Sequence, residues 1–156
     1  MAQPTKPPDA PTQAPSAETL RRAKLCWEQA LADLAAAARM ERARAYLECG
    51  YLSLQAALNA LTAICYLNGE VRPPSFSPVR MAALCAEADP RFAALHAPCA
   101  ALEAVQERGP FDPAPAPAQD EALGRSGLEQ GQAVLALVRS YLKEQRGKDR
   151  RRCFAP

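Results

Sequence analysis

From Arg42 to Gly69 the apolar positions recur every three or four residues, and Leu47, Gly50, Leu54, Ala57, Leu58, Leu61 and Ile64 form the stripe of one long helix. A second stripe lies beside it, made of Glu48, Tyr51, Gln55, Asn59, Thr62 and Tyr66. A surface helix would carry lysine and glutamate on that flank. Amides and phenols there predict a central helix largely surrounded by protein. Asn68-Gly69 closes it, because glycine takes the left-handed conformation at a helix end without strain.

The same period organises the rest of the chain. Ser16 offers an N-cap with Glu18 in the first turn, and Leu20, Trp27, Leu31, Leu34 and Ala38 make the stripe of a first helix. A break near Arg39 to Arg42 separates it from the central helix, one long bent helix being the alternative. Pro73-Pro74-Ser75-Phe76 cannot be helical. Ser77-Pro78 then opens a third helix, to about Ala88, that buries Val79, Met81, Ala82 and Cys85. Asp89-Pro90 opens a fourth, with Phe92, Leu95, Cys99, Leu102 and Val105 on one face, Pro98 as a kink or restart and Gly109-Pro110 as its end. Ala114 to Ala118 reads as an extended linker. A fifth helix carries Leu128, Gly131, Leu135, Val138 and Leu142, with Gly124 and Gly127 continuing the line upstream. The fold class is therefore all-α, an antiparallel bundle of about five helices around a long second one.

A chain of 156 residues suits one domain, and 49% hydrophobic content supports a folded core. Residues 1–15 are expected to be a disordered Pro-rich tail, 16–146 the bundle, and 147–156 a disordered basic tail. Both tails should be mobile and removable. Net charge is only +2, but from Lys143 to Arg152 six basic residues stand against two acidic ones, +4, leaving −2 for the rest. No apolar run reaches the eighteen or so residues needed to cross a bilayer, and no hydrophobic leader opens the chain, so the cytoplasm is the default and no membrane partner is expected. The six cysteines contain no C-x-x-C pair and read as reduced core residues.

Candidate chemistry is sparse. A single histidine, His96, excludes a His-rich zinc site and a bundle di-iron site. The phosphate-cradling glycine motifs are absent, so neither metal nor cofactor is implied. A Cys–His or Ser–His pair could form only by meeting in space. There remains Arg91-Phe-Ala-Ala-Leu-His96, an arginine and a histidine separated by four residues at the head of the fourth helix.

At that point the chain resembles the HEPN superfamily, small helical bundles of prokaryotic toxins and defence proteins. The resemblance spans most of Leu20 to Leu142. It rests on the Ala-rich first helix with Asp33-Leu34, the central RAYLECGYLSLQAALNAL, the Gly-terminated turn, the short third helix, Arg108-Gly-Pro-Phe-Asp112, and a last helix with Tyr141-Leu142. It implies an R-x4-6-H pair in nuclease members: a guanidinium holds the scissile phosphate and an imidazole moves the proton of the ribose hydroxyl, without metal. Arg91 and His96 match that spacing. Three features depart from it. The family places the motif near the turn before the last helix, where this chain has Arg108 and Asp112, and Phe92 stands where nuclease members carry a polar residue. Residues five apart on a regular helix also point about 140° apart.

Two functional expectations follow. The favoured one is a non-catalytic HEPN-like bundle that forms a homodimer or binds a protein or nucleic-acid partner, with Glu48, Tyr51, Gln55, Asn59, Thr62, Tyr66, Arg108 and Asp112 as interface positions. RNA would be contacted through the basic C-terminus. The other is a metal-independent endoribonuclease using Arg91 and His96. Because no β-alternation is bounded by turns, a far-UV circular dichroism spectrum dominated by helix is expected, and a strand-dominated one would refute the fold class.

Overall fold

The computed structural model describes residues 14–70, 76–108 and 117–156. Among them lie five α-helices, one 3₁₀ turn and no strand: α1 Ala17–Arg42, α2 Tyr46–Leu67, α3 Pro78–Ala88, the 3₁₀ turn Pro90–Leu95, α4 His96–Arg108 and α5 Pro117–Lys148.

The helix starts follow from local chemistry. Ser16 Oγ accepts from the Thr19 N–H at 3.1 Å, and Ser77 Oγ accepts from the Arg80 N–H at 3.2 Å with Pro78 at the first helical position. Asp89 caps the 3₁₀ turn by accepting from the Arg91 N–H at 3.0 Å. Two separate helices, not one bent one, occupy the first third of the chain. Arg44 sits at φ 60, a left-handed conformation that no helix continues through, so the break falls at Ala43 to Ala45, just past the expected place. The expected linker of Ala114 to Ala118 ends earlier than its last two residues, because Pro117 and Ala118 already belong to α5; proline is compatible with a first turn. Ala114 to Ala116 lie outside the described residues.

α2 is the core of the bundle. Leu54, Ala57, Leu61 and Ile64 are all at most 2% exposed, in one core with Trp27 and Ala30 of α1, Met81 and Cys85 of α3, Phe92 of the 3₁₀ turn, Leu102 of α4, and Val134, Val138 and Leu142 of α5. In length and composition α2 would also serve to span a bilayer, contrary to the sequence expectation. Here its apolar surface faces other helices. α1 and α2 run antiparallel, as do α4 and α5. α2 and α5 run parallel, in a register that pairs Tyr46 with Gly124, Gly50 with Gly127 and Ser53 with Gly131.

That crossing needs glycine. A Cβ on Gly124 would stand 2.3 Å from the Tyr46 carbonyl oxygen, and one on Gly127 would stand 3.3 Å from the Gly50 Cα. Each glycine costs about 1 kcal/mol of helix propensity relative to alanine. The close approach offsets that cost by letting the two backbones pack directly.

The C-terminus departs from expectation. Cys153 and Phe154 are 5% and 8% exposed and belong to the core, and the Cys153 thiol donates to the Leu142 carbonyl at 3.4 Å. Periodicity could not reveal this, since a chain that doubles back after Lys148 buries two adjacent residues with no helical spacing.

Gly124→Ala should lower Tm despite its better helix propensity, because a backbone oxygen cannot move aside; the net cost is about 2 kcal/mol by analogy with overpacked cores. A thermal melt at or above wild type would refute the close contact. Phe154→Ala should cost about 3 kcal/mol, the usual loss for a buried aromatic, and an unchanged melt would return the tail to solvent.

Candidate functional site

The polar stripe of α2 divides between neighbours. Asn59 Nδ2 donates to Asp33 Oδ2 at 2.9 Å, and Gln29 Nε2 donates to Asp33 Oδ1 at 2.7 Å, so α1 supplies the acceptor. Arg22 donates to Glu18 at 2.8 Å, and the Tyr66 hydroxyl is a second group near its guanidinium. Glu48 and Gln55 are exposed, while Thr62 is half-buried. Asn59, one of the expected interface positions, is thus satisfied from within the chain. The sequence argument overlooked Gln29 and Asp33, whose spacing of four places both on the α1 face toward α2.

Tyr51 lies at the other end of α2. Its hydroxyl is enclosed, without a hydrogen-bond partner among the described residues, and burial pushes its pKa up while the nearby Arg108 guanidinium opposes that. Arg108 is 7% exposed and donates from Nε to Asp120 Oδ1 at 3.1 Å, an ion pair that ties the end of α4 to the start of α5. Asp112 lies outside the described residues.

No hydrogen bond or ion pair joins Arg91 and His96. Arg91 is held by Asp89 at 2.7 Å and by Glu144 at 2.5 Å, with its guanidinium 5.5 Å from the Tyr141 ring centroid. His96 is exposed at the start of α4, and five positions of a turn with three residues per revolution separate the two by about 120°. A phosphate would have to displace two carboxylates from Arg91. Burial pushes the Cys99 thiol up to about 12 and also raises Cys26, Cys49 and Cys153, which disfavours the thiolate at these four positions. Cys65 and Cys85 sit 3.9 Å apart as free thiols in the core. Among the described residues no group of three His, Cys, Asp or Glu side chains could hold a metal ion.

What the fold does assemble is a cationic stripe. Arg139, Lys143 and Arg146 follow the helical spacing on α5 and Arg150 continues it just past the helix end, at intervals of four, three and four residues, so all four share one face over about 16 Å. Lys143, Arg146 and Arg150 line a shallow cleft of about 400 Å³ with Gly147 and Pro156. None of these three forms an ion pair among the described residues. Arg139 is fixed by stacking, 5.7 Å from the Trp27 ring centroid. The neighbouring acids are occupied elsewhere: Glu144 bonds Lys148 at 2.6 Å as well as Arg91, and Asp149 bonds Arg152 at 3.3 Å. The signal was present in the sequence as a three-four spacing that runs on past Leu142, but assigning 147–156 to a mobile tail hid it.

The ion pairs of Arg91 have a testable pH signature. Asp89 is lowered chiefly by its hydrogen bonds from Arg91, and Glu144 by Lys148 first and Arg91 second. A depressed folded pKa gives stability that is present above the unfolded value, about 4 for these groups, and is lost as pH falls through the folded values. The Tm difference between wild type and Arg91→Met should therefore shrink as pH is lowered from neutral to below that range. A difference that stays constant or grows would show that the carboxylates do not hold Arg91.

Compared with known proteins, the chain matches no family model, no curated protein and no solved structure.

Proposed function

We propose that this protein is a non-catalytic, HEPN-like helical bundle that binds RNA through the cationic face of α5. The observation that carries the reading is the row Arg139, Lys143, Arg146 and Arg150, three of whose members line one cleft without an ion pair among the described residues. Phosphate backbones attract such a row because each contact releases condensed counterions. The backbone that carries the row is held in place by α5 and by the buried Cys153 and Phe154, so binding has only the side chains to order. The two carboxylates on Arg91 support the non-catalytic part.

The measurement is salt-dependent binding of single-stranded RNA. Four phosphate contacts give a slope of log K against log salt near −3, and exchanging Lys143, Arg146 and Arg150 for glutamine should bring it close to −1. Equal slopes in both proteins would sink the interface. The catalytic alternative is tested separately: metal-free cleavage of RNA that disappears in both Arg91→Ala and His96→Ala would replace this reading with a nuclease.

A further inference from the structure

At the end of the bundle where α2 and α3 stop, a cleft of about 380 Å³ opens, within the size range of small-molecule sites. Leu67, Ala88 and Pro15 form its apolar wall, and Asp89 and Arg152 stand at its edge, committed to Arg91 and Asp149 respectively. The remaining lining groups are uncommitted. The side chains of Asn68, Glu87 and Gln145 make no hydrogen bond or ion pair among the described residues, and neither does the Tyr141 hydroxyl. Tyr141 is only 9% exposed, and its ring is locked edge-on against Phe92 at 5.2 Å and beneath Arg91. A hydroxyl on a side chain so deeply enclosed has few ways to find a partner except in the cleft it lines.

The charge of the cleft selects the ligand. α2 and α3 both end here, and helix C-termini carry partial negative charge. Glu87 adds an unpaired carboxylate. An anion is therefore disfavoured, which separates this site from the α5 stripe, and no set of three ligands suited to a bare metal ion is present among the described residues. The free oxygens of Glu87, Tyr141, Asn68 and Gln145 call for a donor of several hydrogen bonds, and the apolar wall calls for a short hydrocarbon body. We infer that this cleft binds a small aliphatic ammonium compound, its charged head on Glu87 and the Tyr141 oxygen and its carbon chain along Leu67 and Ala88.

The test uses the full chain and 1,4-diaminobutane as probe, followed by calorimetry and by NMR shifts. Saturable binding is expected, weakened about ten-fold, or about 1.4 kcal/mol, by Glu87→Gln, which removes the carboxylate charge opposite the ammonium, and by Tyr141→Phe, which removes the accepting oxygen. Both variants keep their packing, since Glu87 is exposed and phenylalanine retains the ring against Phe92; unchanged Tm values confirm that the loss is local. Butan-1-ol, with the same chain and no charge, should not bind. Absence of saturable binding at millimolar diamine, equal affinity in wild type and both variants, or equal binding of the alcohol would each overturn the inference.

Discussion

The direct contact between the α2 and α5 backbones is the constraint on which the other features depend. With Gly124 against the Tyr46 carbonyl and Gly127 against Gly50, the two helices lie closer than side chains would permit. Everything on α5 is then placed relative to α2. Val134, Val138 and Leu142 reach the core, Tyr141 reaches the cleft beside Leu67, and a flank of the same helix turns Lys143 and Arg146 to solvent. Side chains of ordinary size at these glycines would push α5 outward and loosen all three arrangements together.

Charge is distributed by the same logic of commitment. Arg91, which spacing alone made the leading catalytic candidate, is consumed in fastening the 3₁₀ turn to α5 through Asp89 and Glu144. Arg108 fastens α4 to α5 through Asp120. Such pairs contribute little when exposed, whereas an enclosed one is costly to break because the remaining charge is left unpaired, and Arg108, at 7% exposure, belongs to the second kind. Among the described residues, Arg39, Arg42, Arg44 and Arg80 also lack an acid partner, but Lys143, Arg146 and Arg150 are the unpaired cations that line one cleft, at the end of α5 and just past it. The uneven charge of the C-terminal region thereby becomes an oriented surface.

The last residues couple core and surface. Cys153 and Phe154 insert beside Leu142, so the turn that carries Arg150 to Arg152 is tethered at both ends, by α5 before it and by the core after it. Arg150 consequently stands beside Arg146, and Arg152 reaches across to the cleft at the end of α2 and α3.

Helices were legible in the sequence because an apolar stripe of period 3.6 and a capping residue are both local properties. Ser77-Pro78, Asp89-Pro90 and Asn68-Gly69 marked real boundaries, and the stripe through Leu54, Leu61 and Ile64 is the observed core. Residue types also determined that glycines would line one face of α5. Pairing between distant segments was not legible. Nothing in the string assigns Asp33 to Asn59, Glu144 to Arg91 or Phe154 to the core, because each partnership is set by where two helices cross. The tertiary structure alone decided which polar groups were already satisfied, and with that which ones remained free to meet a partner.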